Sequence, residues 1–294
     1  MDRLTDFIRA HTVVIGDGAM GTMLQAAGLT TGGAPEAWNV ARPDAVKGIY
    51  QGYVDAGSQI ITTNTFGGTS YRLARENLES HVHEYNVAGA RLAREVADAA
   101  DHEVLVAGSM GPTGEIMEPL GTLTPEGARA AFAEQAAALA EGGVDFFLIE
   151  TMSALDEVQA AVEGIRSVSD LPIAATMTFD TRFRTMMGVK PVQALAALHD
   201  LGVRVIGANC GNGPDEIERV ISEMAAVKPD GVFLMAQSNA GLPKYVDKQI
   251  HYDGTPEVMA EYAAKMKALG VSYIGACCGS TPAHIAAMKR MLAE

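Results

Sequence analysis

Val271-Ser272-Tyr273-Ile274-Gly275-Ala276-Cys277-Cys278-Gly279-Ser280-Thr281-Pro282 contains one structural unit in full. Val271 to Ala276 is a short apolar run of the length of a buried strand. Cys277 to Ser280 is the polar turn at its end. Pro282 stands where helices accept proline, at a first helical position. The segment from Val203 onward repeats the pattern. An apolar run over 203–207 continues to Asn209-Cys210-Gly211-Asn212-Gly213, and Pro214 then starts a helix.

Working outward, the same alternation recurs along the chain. Apolar runs occupy 12–16, 58–63, 104–108, 145–149, 172–176, 203–210, 232–236 and 271–276. Helical periodicity occupies 43–56, 70–76 with 82–100, 124–141, 155–168, 191–201, 214–227, 255–269 and the segment after Thr281. Eight such units in 294 residues predict an α/β fold, a single (β/α)8 TIM barrel over residues 1–294. Runs that are apolar throughout fit strands covered on both faces. The rival is an open doubly wound sheet, for which Gly16-Asp17-Gly18-Ala19-Met20-Gly21 offers a loose G-x-G-x-x-G. The residues after it are too broken by Gly28, Gly32, Gly33 and Pro35 for a crossover helix, and no acid closes the second strand.

The two opening turns hold every cysteine of the chain, Cys210, Cys277 and Cys278. Free cysteines often act as small buried hydrophobes. Adjacent residues on a strand face opposite ways, however, so one core-filling role does not cover Cys277 and Cys278 together. Three sulfurs at strand ends also suit a zinc ion with three protein ligands and one open position. The spacing is not that of a C-x-x-C finger, and from the residues alone both readings stand.

Composition narrows the partners. Hydrophobic residues make up 48% and the net charge is -14, so the chain has a core and an acidic surface. Such a surface repels phosphate backbones, and no nucleic-acid partner is expected. No apolar stretch of roughly twenty residues is present, so no membrane span is expected. The start Met1-Asp2-Arg3-Leu4-Thr5-Asp6 does not read as a signal peptide, and three cysteines, two of them adjacent, do not form a disulfide framework. A cytoplasmic location is expected.

In a barrel the residues just past the strands share one face, which carries the chemistry. Here they are Asp17, Asn64, Ser109, Glu150, Asn209 with Cys210, Gln237 with Asn239, and Cys277 with Cys278. Asp17 alone also reads as a turn residue. Glu150 ends the run Phe146 to Ile149, where a carboxylate is partly desolvated and calls for a cation. A substrate ammonium or a buried arginine would serve.

With these residues collected, the chain resembles the homocysteine S-methyltransferase family. The resemblance runs from Ile15 to Pro282. It rests on Gly16 to Gly21, Thr63-Asn64-Thr65-Phe66, Gly108-Ser109-Met110-Gly111-Pro112, Glu150-Thr151-Met152, Gly207-Ala208-Asn209-Cys210-Gly211 and Gly275-Ala276-Cys277-Cys278-Gly279. The resemblance implies a barrel enzyme that methylates homocysteine to methionine. It implies one zinc ion held by Cys210, Cys277 and Cys278, with the fourth position open to the homocysteine sulfur. It further implies that Glu150 receives the substrate ammonium, that Asp17 and the Gly18 backbone fix the amino-acid end, and that Asn209 orients that end or supports Cys210.

The donor is less legible. The betaine-using branch carries a tyrosine after the Thr-Phe pair, as part of an aromatic cage for a quaternary ammonium; this chain has Gly67. Trp38, Tyr71, Tyr245 and Tyr252 are the other candidates for such a cage, and Trp38 reads better as a loop anchor. The wording of Thr63 to Phe66 and of Pro35-Glu36-Ala37-Trp38-Asn39 is closer to the N-terminal module of cobalamin-dependent methionine synthase. The sequence ends at Glu294. The expectation is therefore a stand-alone subunit that takes its methyl from methylcobalamin on a corrinoid protein. A small onium donor, betaine or S-methylmethionine, is the alternative, and a non-catalytic barrel binding zinc and a thiol amino acid is the other.

Overall fold

A computed structural model of the chain describes residues 2–30, 32–246 and 249–293; the side chains of residues 245–246 and 249–250 lie outside that description. Eight strands pair in parallel: β1 (Val14–Ile15), β2 (Ile60–Thr62), β3 (Leu105–Met110), β4 (Phe146–Met152), β5 (Ile173–Met177), β6 (Val205–Cys210), β7 (Phe233–Ser238) and β8 (Val271–Ala276). Their order is β1-β8-β7-β6-β5-β4-β3-β2, the sequence of a TIM barrel nearly closed on itself. The open doubly wound alternative is thereby excluded.

Both faces of the strands are covered, and alternation sorts the side chains into two cores. Leu105 and Ala107, Phe146 and Leu148, Val205, Met235 and Tyr273 share the cluster inside the barrel. Val106, Phe147, Ile149, Ile206, Leu234 and Ile274 join the cluster between strands and helices. One element goes beyond the sequence expectation. Helix Arg3–Ala10 places Leu4, Phe7 and Ile8 in the inner cluster and so plugs the end where the strands begin. Asp2 caps it by accepting the Thr5 N–H (2.9 Å), and Arg3 ion-pairs with buried Asp145 beside β4.

The surrounding helices begin where proline and cap residues place them. Pro43–Ala56, Pro125–Gly142, Pro191–Asp200, Pro214–Ala225, Pro256–Ala268 and Pro282–Ala293 all open on proline. Thr124 and Thr255 each accept a backbone N–H at their helix starts. Met20–Ala26 forms a short helix ahead of Gly28, and the crossover helix is Pro43–Ala56, beyond the Gly28 to Pro35 segment. Residues 70–76 split into an α-turn and a 3-10 turn, and a hairpin of Lys244–Val246 with Gln249–His251 follows β7. Among the described residues no helix is long and apolar enough to cross a membrane.

The joint between β1 and β2 is made differently from the others. No ladder links them among the described strands. Instead Gln59 donates its N–H to Ile15 O (2.7 Å), and the Gln59 Oε1 accepts the Ile15 N–H (3.2 Å). The Asp17 carboxylate then accepts both the Thr62 N–H (2.6 Å) and the Thr62 hydroxyl (2.9 Å).

Strand packing is tightest at Gly207, where an added Cβ would lie 1.7 Å from the Met235 carbonyl oxygen. A backbone atom within a ladder has no room to yield. Gly207→Ala is therefore expected to cost about 3 kcal/mol of stability, read as a lower urea midpoint at unchanged slope. A loss below about 1 kcal/mol would mean that β6 and β7 part easily here.

Candidate metal and substrate site

The cysteines meet because of strand register. Ser238 at the end of β7 is level with Cys210 on β6 and with Ala276 on β8. It also accepts the Cys277 N–H (2.7 Å), while Ala240 donates to Cys278 O (2.9 Å). Cys210 adopts a left-handed backbone at φ 64, a conformation that costs a non-glycine residue about 1 kcal/mol or more. The outcome is three sulfurs that all lie within 4.8 Å of one another, each residue half-buried.

This arrangement fits a soft metal ion. A tetrahedral ion about 2.3 Å from each sulfur needs the sulfurs roughly 3.8 Å apart, a small adjustment from the positions found. The Asn239 Oδ1 and Gln237 Oε1, both just past or on β7, are buried with no hydrogen-bond partner among the described residues. The thiols already act as a unit. Hydrogen bonds from Cys210 and from Cys277 push Cys278 down to about 3, and the Tyr252 hydroxyl adds another. Contacts with Cys210 and Cys278, with burial, push Cys277 up.

The turn after β1 is clamped to the cysteine turn. Ser280 Oγ accepts the Ala19 N–H (3.0 Å) and donates to Cys277 O (2.7 Å), and the Tyr53 hydroxyl donates to Ala19 O (2.9 Å). A Cβ on Gly18 would lie 2.4 Å from that Ser280 oxygen, so the close approach requires glycine there. Among the described residues no group accepts the Gly18 N–H, and Gly18 lines the cavity.

That cavity, of about 570 Å³, is lined by Cys210, Cys277, Cys278, Asp17 and Glu150 together. Glu150 sits in the irregular end of β4, between Ile149 and Met152, where the register shifts and Thr151 has φ 61. A bulge of this kind re-aims a side chain. Its carboxylate accepts the Ser109 hydroxyl (2.5 Å) and, at 3.4 Å, the Asn209 amide. Burial first, then the charges of Asp17 and Cys278, push Glu150 up to about 7 against the Ser109 bond. Burial likewise pushes Asp17 up to about 7, although both Thr62 bonds oppose it. Among the described residues no lysine or arginine ion-pairs with either carboxylate, so the arginine option for Glu150 falls away.

Asn209 does not line the cavity; it stands behind it. Its Oδ1 accepts from Thr151 N–H (2.9 Å) and Thr176 Oγ1 (2.8 Å), and its Nδ2 donates to Thr151 Oγ1 (2.8 Å) and Glu150. Its side-chain hydrogen bonds thus run to Glu150, to Thr151 in the bulge and to Thr176. Thr62, Ser280, Tyr53 and Tyr252 were not singled out from sequence as site residues in these roles. Apart from the Ser280 bond to Cys277, their partners lie tens of residues or more away, and no local pattern marks them.

Among the described residues no aromatic cage lines the cavity. Phe66 is the one aromatic residue lining the cavity among the described residues. Trp38 packs beside the core with Arg42 over its ring (4.9 Å), the anchor role expected of it. Tyr71 reaches toward Gly127, Tyr252 covers Gly279, and the Tyr245 side chain lies outside the described residues. Met110, Met117, Met152 and Met177 are buried, whereas Met186 and Met187 are exposed.

A sequence model of the homocysteine S-methyltransferase family matches residues 14–292. The methionine synthases of Mycobacterium tuberculosis and Mycobacterium leprae are each 35% identical, over 95% and 94% of this chain. The chain spans about a quarter of their length, 24% in each case. The metallated form of the homocysteine methyltransferase MmuM from Escherichia coli superimposes with a TM-score of 0.82 at 23% identity, covering 98% of this chain and 99% of that one. The carboxyl transferase domain of Rhizobium etli pyruvate carboxylase shares only the barrel, at 15% identity and a TM-score of 0.54, over 99% of this chain and 48% of that one.

The raised carboxylates set a pH dependence. A carboxyl with a folded pKa near 7 and an unfolded value near 4.5 holds its proton better when folded, so it lowers stability as pH rises between the two. Glu150→Gln removes that penalty. The variant is expected to match the wild type at pH 4.5 and to exceed it above pH 7 by about 1–2 kcal/mol, discounted for solvent in the cavity. Denaturation of substrate-free protein across pH reads this. A wild type that gains stability relative to the variant over that range would contradict the burial argument.

Proposed function

This chain belongs to the homocysteine S-methyltransferase family, and we propose that it transfers a methyl group to the sulfur of homocysteine, forming methionine, with zinc as its metal. We further propose that residues 1–294 act as one homocysteine-binding barrel and that the methyl comes from methylcobalamin on a separate corrinoid protein. The observation that carries the reading is the convergence, in one cavity, of three sulfurs with two carboxylates, buried Asp17 and half-buried Glu150, with which no lysine or arginine ion-pairs among the described residues. A zinc ion held by Cys210, Cys277 and Cys278 would convert an incoming thiol to a reactive thiolate at neutral pH.

The chain's own residues supply the rest. Glu150 and Asp17 face the cavity as the receptors for the substrate ammonium. Its arrival gives each the cation it lacks and favours their ionised forms. Ser109 and Asn209 hold Glu150 in place, and Thr62 holds Asp17. The Gly18 N–H remains available to the carboxylate end. Phe66, the single aromatic wall among the described residues, weighs against a quaternary-ammonium cage and favours a donor that does not need one.

The test combines metal and donor. Freshly reduced protein should carry one zinc per chain, and alanine at Cys210, Cys277 or Cys278 should weaken zinc binding about a hundredfold or more. Glu150→Gln should keep the zinc yet bind homocysteine about tenfold more weakly. With zinc and homocysteine supplied, methionine should form from methylcobalamin. Efficient turnover with betaine or S-methylmethionine alone would replace the donor. Zinc and homocysteine bound without turnover by any donor would reduce the barrel to a binding module.

A further inference from the structure

The cavity carries a second set of charges, Arg72 with Glu36. Arg72 lies on the short helix Ser70–Leu73, seated by Thr69, whose hydroxyl accepts the Arg72 N–H (3.3 Å). Its side chain is half-buried and lines the cavity. Among the described residues its guanidinium makes no hydrogen bond and no ion pair within 4.0 Å. Glu36 draws it through space, while one oxygen of the Glu36 carboxylate accepts the Gly67 N–H (2.6 Å). Arg75 differs: it is exposed and already bonded to Gly114 O and Glu115.

Asp17 and Glu150 line the cavity together with the sulfurs, and the same cavity is also lined by Glu36, Gly67 and Arg72. Arg72 is pushed down by burial and then by Arg75, with Glu36 opposing. An α-amino acid carries its ammonium and carboxylate on one carbon. With the ammonium at Asp17 and Glu150, its carboxylate stays beside them. A small amino acid also does not fill about 570 Å³, a volume typical of sites for larger ligands. A partly desolvated guanidinium without a hydrogen-bonding anion is unfavourable, and its planar fork matches carboxylate or phosphate.

We propose that Arg72 is an anion-binding residue for the second substrate, holding a carboxylate or phosphate of the methyl donor. The identity of that ligand as a methyl donor rests on the methyl-transfer reading above; the anion site itself does not. A carboxylate would come from a small onium donor, and a phosphate from the nucleotide tail of a corrinoid.

Calorimetric titration of the zinc-loaded protein tests this, once with the acceptor site empty and once with methionine filling it. The probes are S-methylmethionine, betaine, free methylcobalamin and, as a donor lacking an anion, trimethylsulfonium. At least one anion-bearing probe should bind the wild type. Arg72→Gln should weaken it about tenfold or more, and Arg72→Lys should recover part of the loss. Trimethylsulfonium and homocysteine should bind both proteins alike. Binding of the two methyl-onium carboxylates marks a carboxylate site, and binding of methylcobalamin alone marks a phosphate site. The proposal is overturned if the wild type binds none of the three, if Arg72→Gln leaves them unchanged, or if homocysteine affinity falls in step. Arg72-dependent binding with no methionine from any donor would sink the transfer reading and leave the subsite; turnover unchanged in Arg72→Gln would do the reverse.

Discussion

Parallel pairing puts the ends of β6, β7 and β8 at one height, and the cysteine cluster depends on that level. Ser238 is the reference point: Cys210 stands opposite it on one side and Ala276 on the other, with Cys277 bonded to its carbonyl. A slip of one residue in either ladder would turn a cysteine to the other face of the sheet. Gly207 enforces the register from below, because the β7 backbone occupies the space a side chain would need. The left-handed backbone of Cys210 then ends the strand at the level where its sulfur joins the pair. Packing within the barrel wall and chemistry at its rim are thus one constraint.

The same rim concentrates unfavourable electrostatics. Two carboxylates and three thiols share a cavity in a chain of net charge -14, and no basic side chain ion-pairs with the carboxylates among the described residues. Each carboxylate is held by neutral donors, Thr62 for Asp17 and Ser109 with Asn209 for Glu150. Neutral donors fix orientation without cancelling charge, which leaves the attraction for a cation unspent. That unspent attraction is the electrostatic basis of the ammonium site proposed above.

The strand-and-helix alternation was legible because proline starts and apolar runs are local signals, and they placed six helix starts well. The three cysteines and Glu150 were legible because unusual residues stood at strand ends. Other features were not. The helix Arg3–Ala10 is short and polar on one side, and only the barrel interior it plugs reveals its purpose. The roles of Ser280, Tyr53 and Thr62 arise from contacts with residues far away in the chain, which no window of sequence contains. Asn209 stands next to a cysteine in the sequence, yet its bonds run to Glu150, Thr151 and Thr176. Arg72 was not singled out from the sequence, and only its neighbours show that its guanidinium has no hydrogen-bonding partner among the described residues.

The joint between β1 and β2 ties the barrel wall to the chamber. Among the described strands seven pairs are riveted by backbone ladders, whereas this one has one backbone bond, from Gln59 N–H to Ile15 O, and is otherwise fastened through the Gln59 side chain and the carboxylate of Asp17. The two Asp17 oxygens that hold Thr62 belong to a residue that also lines the chamber. One carboxylate thus serves as both a stave's fastening and a patch of the chamber's wall.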